Sequence, residues 1–193
     1  MSEHISKLCR TSYFHLHNIA AIRKYLSQQD TQTLIHAFIS SRLDFCNSLL
    51  YGLPACLISK LQKIQNTAAR IVTGGRKYDH KTPILRDLHW LPVQQRIVFK
   101  LLLFTYKALH EQAPKYITDL VTPYAPIRNL RSSSQLLLKV PNSKLLSCGD
   151  RSFQVAAPRL WNSLPFNVRT CPSLDIFKQK LKTVLFSQHY ASK

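Results

Sequence analysis

The chain has 193 residues, and its 27 Lys and Arg outnumber nine Asp and Glu, giving a formal net charge of +18. Hydrophobic residues make up 45% of the sequence, which excludes a disordered basic tail, because such tails are poor in apolar residues. The most apolar stretch, residues 97–109, is too short to span a bilayer and contains Lys100 and Lys107. The N-terminal residues lack a secretory pattern. We therefore expect a soluble intracellular protein without membrane contact, in the nucleus or the cytoplasm.

The five cysteines are widely spaced, and they form neither a C-x-x-C pair nor a Cys–His set with zinc-finger spacing. Cys9 with His15 and His17 is the nearest approach to a metal cluster. Because the two histidines lie two residues apart, a helix would put them on different faces. The sequence therefore favours reduced thiols in a helical core and predicts neither a metal ion nor another cofactor. The large positive charge instead predicts a polyanionic partner, of which nucleic acid is the commonest.

Two helices are predicted near the N-terminus. Apolar residues among helix-compatible neighbours indicate the first over residues 12–26, and Ser27 with Asp30 matches a capping box that opens the second. At the end of the second helix, Asp44 and Asn47 share a face, because they lie three residues apart. They form either a ligand-contacting pair or a polar clasp. We favour the clasp, because buried polar groups are usually paired with one another.

The clearest predicted helix covers residues 57–72, where apolar residues recur at helical spacing on one face. Gly74-Gly75 follows it in a position that suits a left-handed cap. A different face of this helix and the loop after it are basic. This predicted basic surface comprises Lys60, Lys63, Arg70, Arg76, Lys77 and Lys81.

A further helix is predicted from Pro92, which suits a first helical turn, to about His110. Its surface is apolar nearly all round, except for a seam formed by Arg96, Lys100 and Lys107. Because a buried cation needs water, an acid or a phosphate, and the neighbouring sequence holds few acids, the seam is a candidate anion-binding site.

The fold class predicted from these patterns is mainly α, with the chain divided into residues 1–78 and 79–193. The second part is expected to contain a short hairpin near residues 135–148, whose arms are separated by Pro141-Asn142-Ser143. A short helix follows, and a terminal helix begins near Ser173 with an acid in its first turn.

The sequence contains no paired carboxylates for two-metal catalysis and no phosphate-loop, hydrolase or zinc-protease motif, so no self-sufficient catalysis is expected. Arg151 and Arg159 lie near Phe153 and Trp161. These residues form either phosphate contacts beside stacking surfaces or a core in which Asp150 caps a helix, and both interpretations stay open.

Several segments of the chain resemble the region that follows the polymerase core in LINE-type (non-long-terminal-repeat) retrotransposon reverse transcriptases. The resemblance runs in order over nearly the whole chain. It is carried by SRLDFCNSLLYGLP at 41–54, LQKIQNTAAR at 61–70, LHWLPV at 88–93, GDRSF at 149–153, PRLWNSLP at 158–165 and FKQKLKT at 177–183.

The resemblance implies a thumb-like helical region over residues 1–78 and a C-terminal region over residues 79–193. It implies no catalytic residue, because the family's endonuclease and its palm with a Tyr-x-Asp-Asp motif have no counterpart here. We therefore expect a non-catalytic fragment that binds template–primer, element RNA or target DNA, with the polymerase core as a further partner. A thumb holds a duplex by its backbone, which requires cations on a rigid helix face. The alternative is a helical protein-interaction module whose charge is incidental.

Overall fold

The computed structural model describes residues 1–76, 79–125, 135–143, 145 and 149–190. These residues divide into two units, one formed by residues 1–97 with His189 and Tyr190, the other by residues 98–188. The first unit extends beyond the boundary predicted after residue 78, because the next helix packs on the preceding one. Residues 1–97 contain 13 Lys and Arg against five Asp and Glu, and residues 98–188 contain 13 against four. Each unit therefore carries a large positive excess.

The first unit begins with helix α1 (Ser2–Ile22), which starts ten residues earlier than the sequence predicts. Its buried stripe consists of Ile5, Ser12, Leu16 and Ile19, whereas Phe14 is 63% exposed. The polar Ser12 interrupts the apolar periodicity of this stripe. That interruption explains why the first turns of α1 are not evident from the sequence.

The next helical segment consists of α2 (Gln28–Ile35), a π-helical turn (His36–Ser40) and α3 (Ser41–Asp44). The predicted cap is confirmed, because the hydroxyl of Ser27 accepts a hydrogen bond from the N–H of Asp30 at 3.1 Å. In the π-helical turn, the N–H of Ser41 donates to the carbonyl of His36, five residues back.

Helix α4 (Ala55–Thr73) is the centre of the first unit, and α1, α2 and α5 (Lys81–Asp87) pack against it. Leu61, Ile64 and Ala68 are buried on its inner face, as the helical spacing predicts, and Val72 is buried as well. Gly74 ends the helix with a φ of 69°, the left-handed conformation that glycine adopts without steric penalty.

Arg23 closes the C-terminal end of α4 from outside the helix. Its Nε donates to the carbonyl of Ile71 at 2.9 Å, and its Nη2 donates to the carbonyl of Val72 at 3.1 Å. The last carbonyls of a helix lack intrahelical partners and carry its negative dipole end. Arg23 therefore stabilises the packing of α1 on α4 through its charge and is not a free surface cation.

The remaining helices are α6 (Val93–Leu109), α7 (Lys115–Thr118), α8 (Phe153–Asn162), α9 (Phe166–Arg169) and α10 (Leu174–Tyr190). In the second unit, the ring of Tyr106 stacks on Phe177 at 4.3 Å, and Trp161 lies 5.9 Å from Phe177 between ring centroids. Mainly α architecture with a C-terminal helix is therefore confirmed.

Among the described residues, no helix has the length and apolar character needed to cross a membrane.

The hairpin expected near residues 135–148 is only partly covered by the described residues. Residues 135–143 contain no strand, and Leu138 instead forms an isolated antiparallel bridge with Pro123. The side chain of Asn162 holds Leu138 in place, accepting from its N–H at 2.9 Å and donating to its carbonyl at 2.8 Å. Residues 144 and 146–148 lie outside the described residues, so the second arm of the hairpin stays a prediction.

Replacing Tyr190 with Phe is expected to remove part of the protein's sensitivity to alkaline pH. The hydroxyl of Tyr190 donates to the carbonyl of Trp90 at 2.9 Å, and burial raises the pKa of Tyr190 to about 12. An unfolded tyrosine has a pKa of about 10, so this stabilisation is complete below about pH 10 and is lost as the pH rises towards about 12.

Urea unfolding of the wild type and Tyr190→Phe across that pH range measures the difference. We expect the variant to be less stable at neutral pH by about 1 kcal/mol, and only the wild type to lose stability through this residue as the pH rises from about 10 towards about 12. Parallel curves would contradict this role for Tyr190.

Candidate nucleic-acid interface

The outer face of α4 presents Lys60 and Lys63 to solvent, as the sequence predicts. Both residues are exposed, whereas their neighbours Leu61 and Ile64 are fully buried. Because the inner face fixes the rotation of α4, the two lysine stems leave the protein in a defined direction. Their ammonium groups are point charges on flexible stems, which suits contact with phosphates.

Arg70 belongs to the same predicted stripe, but it differs from the two lysines. It is half-buried, and its Nη2 donates to the carbonyl of Asp79 at 3.3 Å. Its Nε is buried without a hydrogen-bond partner in the described part of the chain. Arg70 therefore holds the loop after α4 against the helix, with its exposed part extending the stripe.

Arg76, in the loop after α4, and Lys81, the first residue of α5, are both exposed on the surface. The carboxylate of Asp79 accepts a hydrogen bond from the backbone N–H of Arg76 at 2.6 Å, which closes the loop. Lys77 lies outside the described residues, so its assignment to this surface stays a prediction.

Tyr13 of α1 lies beside the basic face of α4, a position that the sequence does not predict. Burial raises the pKa of Tyr13, the nearby Cys9 adds to the rise, and a hydrogen bond with the hydroxyl of Thr67 opposes it. Burial likewise raises the pKa of Cys9, while the charge of Lys60 opposes that rise. Tyr13 is half-exposed, so it adds an aromatic edge one turn from Lys63. Only the long-range packing of α1 on α4 creates this arrangement.

Arg96 is not the free anion-binding residue that the sequence predicts. Its Nε donates to Oδ1 of Asp44 at 2.8 Å, and its Nη2 donates to Oδ2 of the same carboxylate. Asn47 also donates to Asp44, at 3.3 Å, so the polar clasp at the end of α3 is confirmed. Burial and the charge of Arg96 lower the pKa of the neighbouring His36, and the charge of Asp44 opposes this fall. The partner acid lies 52 residues away in sequence, so local sequence could not reveal it.

Replacing Asp44 with Ala is expected to lower the free energy of unfolding by about 2 kcal/mol, because a partly buried guanidinium loses its bidentate partner. The side chains of Arg96 and Asp44 are 20% and 38% exposed, which places the effect below that of a fully buried pair. Asp87→Ala, at an exposed residue of α5, serves as the control and should change stability by less than about 0.5 kcal/mol. A double-mutant cycle with Arg96→Met measures the coupling, and a coupling near zero would refute the clasp.

Lys100 and Lys107 of α6 are both partly buried, and they belong to the second unit, whereas Arg96 belongs to the first. The ammonium group of Lys100 lies 5.8 Å from the ring centroid of Phe104, one turn along the helix. That distance allows a cation–π attraction. The two lysines therefore remain candidate anion contacts, but without Arg96 they no longer form the predicted seam of three cations.

The interpretation of the segment after Gly149 as phosphate contacts beside stacking surfaces does not hold for Arg159 and Trp161. Arg159 pairs with Asp150 at 3.0 Å, so Asp150 neutralises this arginine and does not cap α8. Trp161 is 1% exposed and donates its indole N–H to the carbonyl of Leu136 at 2.9 Å. It is a core residue and presents no face to a base. Arg151 is half-buried, so its predicted phosphate contact stays a prediction.

A second basic surface, absent from the sequence predictions, lies on the other side of α1. A cleft of about 320 Å³ is lined by His4, Lys7 and Arg42 together with Phe45, whose ring is 71% exposed. Arg42 also donates to the carbonyl of Phe38 at 2.8 Å, which fixes its position. Cations around an exposed aromatic ring suit a nucleic-acid strand, because the ring can stack on a base while the cations hold phosphates.

No protein-family model, curated protein or solved structure matches this chain. Nor does the described part of the chain contain three or more His, Cys, Asp or Glu side chains grouped to hold a metal ion. The function is therefore inferred from the chemistry of the surface residues.

Proposed function

We propose that this chain binds nucleic acid through the basic face of α4, and that it is a non-catalytic fragment of a LINE-type retrotransposon reverse transcriptase. The observation that supports binding most directly is the exposure of Lys60 and Lys63 on a helix whose inner face is fixed by buried residues. The family assignment depends on the sequence resemblance. The two parts of the proposal are therefore separable by experiment.

The arrangement favours contact with the sugar-phosphate backbone over base readout. Lys60 and Lys63 lie three residues apart, a rise of about 4.5 Å along the helix. Lysines approaching a strand from one helix face neutralise phosphates without distinguishing base pairs. Arg76 and Lys81 extend the cationic surface beyond the end of the helix. We infer binding with little sequence preference, to RNA, DNA or a hybrid duplex.

Acidic side chains with structural partners support a binding role over catalysis. Asp44 pairs with Arg96 and Asp150 pairs with Arg159, so both carboxylates neutralise arginines. Asp79 closes the loop after α4. Under the proposal, the polymerase core carries out the catalytic chemistry, and this chain binds the duplex.

The test is the salt dependence of binding by the full chain to a short DNA duplex, an RNA duplex and an RNA–DNA hybrid. If about six phosphates are contacted, the logarithm of the affinity should fall against the logarithm of the salt concentration with a slope of about −5. Two unrelated duplex sequences should give the same slope and similar affinities. Affinity that does not respond to salt, or no binding at low salt, would exclude the proposed binding.

A protein-interaction module is the second candidate, and exposed aromatic rings on the first unit favour it. Phe14 contacts His15, which in turn stacks on Phe38 at 5.1 Å between ring centroids, and all three rings reach the surface. Exposed aromatic residues are typical of the centres of protein interfaces. Phe14→Ser with Phe38→Ser separates the two candidates: duplex affinity should be unchanged if α4 carries the function, and a large fall in duplex affinity would contradict that assignment.

A further inference from the structure

The second unit contains a cavity that the proposed nucleic-acid function does not use. Its volume is about 440 Å³, within the range of about 300–1,000 Å³ that is typical of small-molecule sites. The lining is mostly apolar and includes Leu137, Leu138, Trp161 and Pro172. Arg169, at the end of α9, also lines it and is the one permanently charged side chain among the described lining residues.

Arg169 is buried in an unusual state. It is only 6% exposed, and both its Nε and its Nη1 are buried without a hydrogen-bond partner in the described part of the chain. All nine Asp and Glu lie within the described residues, and none of them forms an ion pair with Arg169. Burial also lowers the pKa of this guanidinium. An unpaired buried cation costs several kcal/mol, on the order of the total stability of a small domain, so the position calls for an anion.

We propose that this cavity binds a small carboxylate with an apolar tail, the carboxylate accepting hydrogen bonds from Arg169 and the tail occupying the apolar lining. A guanidinium donates through several N–H groups in one plane, which matches the two oxygens of a carboxylate. Arg169 is the one permanently charged side chain of the described lining, which also includes His110 and Thr170. One negative charge matches it, and a doubly charged phosphate would remain half unpaired.

The wall that carries Arg169 is held by contacts within the second unit. The hydroxyl of Tyr106 donates to the carbonyl of Cys171 at 2.9 Å, which fixes the chain two residues after Arg169. On the other side, the indole of Trp161 holds the carbonyl of Leu136. Fully buried aromatic residues therefore hold both of these segments of the cavity wall.

The test compares decanoate, decanol and decyl phosphate in calorimetric titrations of the full chain. Decanoate and decanol share the tail, so their difference isolates the carboxylate. We expect decanoate to bind at one site with an affinity at least about tenfold higher than that of decanol, because a charge-assisted hydrogen bond is formed in a buried site. Equal affinities for the two would overturn the proposal without any variant. Tighter binding of decyl phosphate would overturn the choice of a carboxylate.

Arg169→Met keeps much of the side-chain volume and removes the guanidinium, so its decanoate affinity should fall to that of decanol. Arg86→Met makes the same change in net charge at an exposed residue of α5 and should bind decanoate within about twofold of the wild type. Undiminished decanoate binding by Arg169→Met would show that this guanidinium does not hold the carboxylate and would refute the site. An equal loss in Arg86→Met would show attraction to the overall charge and would refute it as well. Neither outcome bears on duplex binding by α4.

Discussion

Replacing Lys60 and Lys63 together by Glu is expected to weaken duplex binding by at least about thirtyfold at about 0.15 M salt. Each phosphate contact releases counterions and contributes about 0.9 to the salt slope, so losing two contacts removes about 1.5 logarithmic units of affinity at that salt concentration. The introduced carboxylates also repel the backbone, which makes this a lower limit. The salt slope itself should fall by about 2.

Both lysines are exposed, so the double variant should fold normally, and circular dichroism with urea unfolding checks this. The matched control is Lys24→Glu with Arg86→Glu, which changes the net charge equally at two other exposed residues of the first unit. We expect the control to retain most of the affinity. An equal loss in both variants would indicate that the whole charge of the protein, and not the α4 face, holds the duplex.

Trp161→Ala should produce the largest loss of stability, a fall of about 3–5 kcal/mol in the free energy of unfolding. The side chain is 1% exposed, packs against Phe177 and donates to the carbonyl of Leu136, so truncation leaves a large cavity and an unpaired acceptor. Trp161→Phe keeps an aromatic ring but not the donor, and should lose about half as much. Urea unfolding of each variant measures the difference.

Tyr116→Ala, at an exposed aromatic residue of α7, is the control and should change stability by less than about 0.5 kcal/mol. The same variants also discriminate between the two interpretations of the segment around Trp161. A stacking residue would lose duplex affinity at little cost in stability. A fall in affinity with unchanged unfolding would therefore contradict the assignment of Trp161 to the core.

Local signals predicted the elements that local physics determines. The cap at Ser27, the buried face of α4 and the left-handed Gly74 each depend on residues within a few positions of one another. The exposure of Lys60 and Lys63 follows from the same periodicity, because a helix with one buried face must present the opposite face to solvent. For this reason the exposed position of these two lysines in the candidate interface was predictable from the sequence.

Long-range contacts account for what the sequence could not predict. Arg96 looked free because its acid, Asp44, is distant in sequence. The sequence left Trp161 open between a stacking role and a core role, because its partner Phe177 lies on another helix. Arg169 carries no sequence signal at all, since an arginine is buried or exposed according to the packing of the surrounding helices. Charge counts predict the class of partner, whereas tertiary pairing decides which cations remain available.

The π-helical turn between α2 and α3 has an evolutionary consequence. A π-helical turn is an α-helix that has gained one residue, and the helices on either side keep their relative rotation despite the insertion. A descendant or ancestor lacking one of the residues 36–40 would therefore still direct the carboxylate of Asp44 towards Arg96. Alignments of related sequences should accordingly tolerate a one-position gap in this segment, while gaps inside α4 would rotate its lysines away from solvent.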